Sequence, residues 1–143
     1  MIKTFKGLSA DNSTTRIRLG TNEGLTGYRI IKLRVMAEDY TASNEVCVKL
    51  FTVKPPSATA TFDFSDPTLV AAAYLDAPTA AHAYGTDDAI VVDNKIVNQD
   101  MWLTVKDGAG ASKSANWYLE LEQVKLDLNE ATVATLKDMR GRE

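Results

Sequence analysis

Glu120 and Glu122 stand two residues apart in "NWYLELEQVKLDL". On an extended strand that spacing places both carboxylates on one face, about 7 Å apart. Inverting glycosidases hold a general acid and a general base at a comparable separation. The same alternation, with Trp117, Leu119 and Leu121 on the opposite face, is what any half-exposed strand shows, and this solvent-face reading outweighs a catalytic one. His82, the sole histidine, sits in "TAAHAYG". A Ser-His-Asp or Cys-His site would need it, but no Gly-x-Ser-x-Gly motif is present. Cys47, the sole cysteine, lies in the apolar run "EVCVKLF" and reads as a buried, inert thiol. One cysteine and one histidine cannot close a tetrahedral zinc site.

Other clusters weigh the same way. Asp87, Asp88, Asp93 and Asp100 fall in a loop-strand-turn region, where carboxylates can collect Ca²⁺, but their spacing matches no EF-hand loop. "GTNEGLTG" and "GAG" lack the lysine and the following helix of a phosphate loop. Trp102, Trp117 and Tyr118 could stack sugars, although aromatics near strand centres more often pack in a core. Arg16, Arg18, Arg29 and Arg34 lie on two strands expected to be neighbours. They form either a solvated face or an interface that pairs with carboxylates of another subunit. The sequence therefore predicts no catalytic residue, no metal ligand and no cofactor, and a protein that is not an enzyme.

The elements that would position these groups are mostly strands. "KTFKGL" and "TRIRLG", separated by the turn cluster "SADNST", read as a hairpin. "YRIIKLRVMA" slips phase: Tyr28 and Ile30 share one face, Ile31, Leu33 and Val35 the other. A bulge near Ile30 and Ile31 reconciles them. "EVCVKLFTV" is apolar at nearly every position, which predicts a strand covered on both faces, ended by "KPPS". "ATATFDF" alternates and reads as a further strand, and Asp66-Pro67 predicts one helical turn over 67–70 before a strand through Tyr74 and Leu75. "DMWLTVKD" is a strand with Met101, Leu103 and Val105 inward, followed by the hairpin loop "GAGASKSA". In "NWYLELEQVKLDL" the apolar phase flips between Leu121 and Val124, which predicts a bulge at Glu122 or Gln123, or a strand that passes from one sheet to another. Asn129 then caps a short helix over about 130–140, with Leu128 and Val133 as a hydrophobic staple. This helix must bury Val133, Leu136 and Met139 against the sandwich or against a neighbouring copy.

The whole chain, 1–143, reads as one all-β domain of about eight strands, a β-sandwich or jelly roll with a helical turn near Pro67 and a short C-terminal helix. At 45% hydrophobic and 24% charged residues, the composition is that of a globular domain that can bury a core. A net charge of −3 argues against a dedicated nucleic-acid binder and against adhesion to an anionic membrane. The N-terminal "MIKTFKGLSAD" has no apolar signal-peptide core, which predicts synthesis and folding in a cytoplasm.

Two stretches resemble a family of small structural proteins of marine tailed bacteriophages. They are "KTFKGLSADNSTTRIRLGTNEGLTGYRIIKLRVM" and "NWYLELEQVKLDLNEATVATLKDMR", and "FDFSDPTLVAAAYL" and "VVDNKIVNQDMW" between them are similar to the family's middle section. The resemblance touches most of the chain. It implies a virion component made in the host cytoplasm, a capsid decoration protein or small capsid protein that contacts other capsid proteins and its own copies. It brings no catalytic residues. With it comes the expectation of a homo-oligomer, a trimer or a ring, whose interface draws on Arg16, Arg18, Arg29, Arg34, Glu120, Glu122, Val133 and Leu136. The competing expectation is a carbohydrate-binding β-sandwich for host attachment, with exposed aromatics in a groove.

Overall fold

The computed structural model describes residues 1–19, 25–39, 43–77, 86–91 and 96–126, together with 133, 135 and 136. Nine strands run through these residues: β1 (Ile2–Ser9), β2 (Ser13–Ile17), β3 (Thr26–Ala37), β4 (Asn44–Phe51), β5 (Leu69–Ala77), β6 (Thr86–Val91), β7 (Ile96–Val97), β8 (Met101–Asp107) and β9 (Ala115–Lys125). They form two antiparallel sheets, ordered β1-β9-β3-β7 and β2-β8-β4-β5-β6. The fold is an all-β sandwich. One buried cluster fills the space between the sheets, with Leu33, Leu119 and Leu121 from the first and Val48, Leu50, Leu103 and Val105 from the second.

β1 and β2 are not a hairpin. β1 pairs with β9 in the first sheet and β2 with β8 in the second, so the "SADNST" cluster is a corner between layers. Asn12 turns it at a φ of 61°, a left-handed conformation that asparagine tolerates. Its amide donates to the Val105 carbonyl at 2.8 Å, and Ser9 and Thr15 hydroxyls meet across the corner at 3.2 Å. "GAGASKSA" likewise joins β8 to β9 across the two sheets and is no hairpin loop. Buried Asp107 shapes it, accepting from the Ala109 amide at 2.8 Å and the Lys113 amide at 2.9 Å. Alternation fixes which residues face inward on a strand, but not which strand it pairs with.

Phase slips behave differently in β3 and β9. In β3 the expected bulge is present: the register to β9 shifts between Ile30 and Lys32, which turns Ile31 outward and restores Leu33 and Val35 to the core. β9 has no bulge opposite Glu122 and Gln123 and stays in one sheet to Lys125. Its even positions simply point outward, and there Val124, with Leu25, Ile96 and Leu126, forms a second small cluster on the outer face. Gly27 makes room for it. A Cβ at Gly27 would clash with Ile96 Cγ2 and lie 3.1 Å from Leu126 Cδ1.

β4 is buried along almost its whole length, as its composition predicts. Its second cover is residues 52–68, which form no strand and lie across the outer face of the second sheet before β5 begins. "ATATFDF" is therefore not a strand. Nor is there a helical turn at 67–70: two successive turns close through Asp66 N to Asp63 O (3.2 Å) and Leu69 N to Asp66 O (3.3 Å), and Asp66 Oδ1 accepts the Thr68 amide at 2.8 Å. Asp and Pro favour such turns as strongly as helix starts, and β5 takes up the chain at Leu69. Of the expected C-terminal helix, Val133, Thr135 and Leu136 are described and their backbone is helical; the cap at Asn129, Leu128 and Met139 lie outside the described residues.

Candidate functional site

The outer face of the first sheet is built in rows across β1, β9 and β3. Register sets Ile2, Glu122 and Arg29 in one row, Thr4, Glu120 and Lys32 in the next, then Lys6, Tyr118 and Arg34, then Leu8, Asn116 and Met36. Each glutamate thus stands opposite a cation. Arg29 Nη1 lies 3.9 Å from Glu122 Oε2, and Tyr118 donates its hydroxyl to Glu120 Oε2 at 3.2 Å. Cross-strand pairs of opposite charge support a sheet, and this role accounts for both carboxylates. At the far end of the face Leu8, Met36 and Asn116, with Lys6, Arg34 and Tyr118, line an open groove of about 700 Å³. Leu8 is 53% and Met36 71% exposed.

The four arginines do not share neighbouring strands. Arg29 and Arg34 are on this outer face, whereas Arg16 is on β2 in the other sheet and Arg18 follows β2. The corner at Asn12 is the reason, since it sends β2 into the opposite layer. Arg16 is engaged within the chain: its Nε donates to Asp100 Oδ2 at 2.7 Å and its guanidinium lies 5.9 Å from the Trp102 ring centroid. Asp100 Oδ1 also accepts the Leu19 amide at 3.1 Å. Val133 and Leu136 are half exposed, while Thr135 between them accepts from Asn98 Nδ2 at 2.8 Å just beyond β7.

The three aromatics of the platform suggested by sequence are dispersed and form no common surface. Trp117 is buried and donates Nε1 to Ser9 Oγ at 3.0 Å, Trp102 lies under Arg16 on the second sheet, and Tyr118 faces out from the first. Asp100 is tied to Arg16, the side chains of Asp87 and Asp88 are not described, and His82 and Asp93 lie outside the described residues. Among the described residues no group of three or more metal-ligating side chains comes together.

The outer face of the second sheet holds what the sequence did not announce. Lys49 is only 4% exposed beneath residues 52–68. Its ammonium donates to Thr59 Oγ1 and to the Thr61 carbonyl, both at 2.6 Å, and lies 5.8 Å and 5.7 Å from the Phe51 and Phe62 ring centroids. Burial pushes its pKa down, against the pull of Cys47 and Asp66. Cys47 is buried as expected, donating Sγ to the Thr59 carbonyl at 3.4 Å, and burial pushes its thiol pKa up. Beside them Glu45, Asp76, Phe62 and Tyr74 line a groove of about 290 Å³. The only sequence signal for this region is the lack of alternation in "EVCVKLF", which requires something to cover the second face of β4.

No protein-family model, curated protein or solved structure matches the chain.

Proposed function

We propose that this chain is a virion structural protein, a decoration (cement) or small capsid protein that binds a phage capsid surface and copies of itself. It would be made in the bacterial cytoplasm and act on the particle. The resemblance of 3–36 and 116–140 to the phage family supports the reading. The observation that carries it is the end of the first sheet's outer face, where exposed Leu8 and Met36 rim a groove bearing Lys6 and Arg34. Apolar side chains gathered on one face and edged by charge mark an interaction surface. Test particles lacking the protein are mixed with the purified chain, and bound copies are counted per capsid subunit. The expected result is saturation at a fixed ratio, with Leu8→Asp/Met36→Asp reducing occupancy at least tenfold. Binding without saturation, or binding that ignores the double variant, overturns the proposal.

The carbohydrate-binding alternative draws on one observation, the exposed pair Phe62 and Tyr74, whose rings are 6.3 Å apart at 54° beside Glu45 and Asp76. Saturable binding of host surface polysaccharide, lost in Tyr74→Ala, is the result that favours it over the capsid reading.

A further inference from the structure

β1 is the longest strand at a sheet edge, eight residues against two in β7, five in β2 and six in β6. Among the described residues its one ladder is to β9. Described parts of the chain after β9 turn away from it. The Leu126 amide donates to the Leu25 carbonyl at 2.7 Å, and Thr135 meets Asn98 beyond β7, at the opposite edge of the same sheet. An edge of this length presents unpaired backbone groups to another strand.

Which groups those are follows from register. The Gln123 amide donates to the Met1 carbonyl at 2.8 Å, in step with the pairing of Ile2 to Glu122. Bonded and non-bonded pairs alternate along an antiparallel ladder. Lys3, Phe5, Gly7 and Ser9 therefore turn their N–H and C=O groups towards β9, whereas Ile2, Thr4, Lys6 and Leu8 turn theirs to the open edge. The side chains of the same four residues are exposed on the sheet's outer face, Ile2 at 51% and Leu8 at 53%.

This edge is complementary to itself. Two copies can pair antiparallel only with an outward residue opposite an outward residue. A two-fold axis at Phe5 sets Ile2 against Leu8 of the second copy and Thr4 against its Lys6. All four outward residues are then used, as four bonded pairs of two bonds each, about eight in all. Any other two-fold register leaves one of them without an opposite in β1, and an axis at Lys6 sets that cation against its own copy, which is unfavourable. With the axis at Phe5, Lys6 of the second copy approaches the row of Thr4 and Glu120, so the added cation meets a carboxylate. Lys3, tied within its own copy to the Tyr28 hydroxyl at 3.3 Å, faces the small Gly7 of the other.

We infer that β1 pairs with β1 of a second copy about a two-fold axis at Phe5, joining the first sheets of both into one. It rests on the assembly reading and names the strand by which the protein meets itself. Such a contact is isologous and closes at two copies. Main-chain bonds supply the affinity and the Ile2–Leu8 contacts the register. Leu8 stays on the outer face beside Met36, so each copy's groove gains the Ile2 side chain of the other at its edge.

Sedimentation equilibrium of the full chain tests it. The wild type should show a monomer–dimer equilibrium, and a chain still monomeric at about 1 mM, the weak limit of a specific contact, overturns the inference. Thr4→Pro removes an N–H aimed at the second copy and none aimed at β9, a position where an edge strand accepts proline. It should keep the melting profile and weaken association at least tenfold; association equal to the wild type overturns the pairing. Cysteines test the register independently, should the proline variant misfold. Thr4→Cys and Lys6→Cys chains mixed in oxidised glutathione should give a disulfide-linked heterodimer, and each alone should give little, since 4 faces 6 and lies diagonal to its own counterpart. Buried Cys47 should stay silent while the protein is folded. No excess of the mixed product overturns the register. Met36→Asp should dimerise like the wild type while losing particle occupancy; loss of dimerisation there moves the contact to the groove and overturns the inference. A wild type that dimerises but does not bind particles upholds the β1 contact and sinks the capsid reading. One that binds particles as a monomer, with binding lost in Thr4→Pro, gives the edge to a strand of another protein and sinks the β1 contact alone.

Discussion

Thr59 lies over Lys49, its hydroxyl 2.6 Å from the ammonium, and this contact fastens residues 52–68 to a sheet face that would otherwise be wet. The bond joins a segment without strand structure to the middle of β4. It also brings a lysine out of water with no carboxylate within ion-pairing distance among the described residues. Two oxygen acceptors and two aromatic rings take the place of a counter-ion.

That arrangement predicts a signed pH dependence. Burial holds the folded-state pKa of Lys49 below its ordinary value, so the folded chain binds this proton less tightly than the unfolded chain. Below the folded-state pKa both states are charged and the desolvation cost is present in full. As pH rises through the folded-state pKa towards the unfolded value of about 10.4, the folded state loses the proton first and the cost is relieved. Urea unfolding of the wild type and Lys49→Met at pH 7 and pH 10 should show the difference between them moving in favour of the wild type at the higher pH. A difference that is constant, or that moves the other way, refutes it.

Gly27 is predicted to be intolerant of a methyl group. Gly27→Ala should cost about 1–3 kcal/mol, the usual range for overpacking, because the new Cβ meets Ile96 and Leu126. Adding Ile96→Ala in the same chain should relieve the clash, so that the double variant is less destabilised than the two single effects summed. Denaturant midpoints for the three variants give the comparison, and strict additivity would show that the clash is absent.

Asp100 should matter more than its partner Arg16. Arg16→Ala removes a half-exposed ion pair, worth under about 1 kcal/mol. Asp100→Ala removes the same pair and also strips the Leu19 amide of its acceptor beside a buried side chain, adding about 1–3 kcal/mol. Equilibrium unfolding that ranks the two variants equally, or in reverse, contradicts this reading.

Cys47 is expected to be unreactive while the protein is folded. Its burial raises the thiol pKa, which leaves little thiolate, and Thr59 occupies its only hydrogen. Native protein should react with an aromatic disulfide reagent only at the rate of unfolding, and fully in urea. Prompt stoichiometric labelling without denaturant is the contrary result.

Much of the strand content is legible in the sequence because period-two alternation is a local property. Met101, Leu103 and Val105 point inward as read, and the slip at Ile30 and Ile31 is a real bulge. Pairing is not local, and there the reading misleads. "SADNST" and "GAGASKSA" look like hairpin turns, yet each carries the chain into the other sheet. "ATATFDF" alternates by chance of composition, with Phe62 and Phe64 exposed on a segment held by Lys49 instead of by a ladder. The charged surfaces were half legible. Glu120 and Glu122 were recognisable as an outer face, but their partners Lys32 and Arg29 depend on register. The opposition of Glu45 and Asp76 depends on a β4–β5 pairing across the intervening 52–68, and no short window of sequence contains both.

The placement of β1 beside β9 governs how the chain can be made. Of the nine described strands β1 is made before the others and β9 after them, and Ser9 waits 108 residues for the Trp117 indole that donates to it. β9 also sits between β1 and β3, so neither of those earlier strands has its main ladder until it arrives. Of the eight connections between consecutive described strands, six switch sheets, which leaves few pairings that close over a short loop. Closing long loops costs entropy before contacts repay it, and such topologies fold slowly. A nascent chain halted anywhere before Ala115 therefore exposes two long unpaired edges at once. Synthesis of β9, more than any local nucleus, is the event that commits these nine strands to their native pairing.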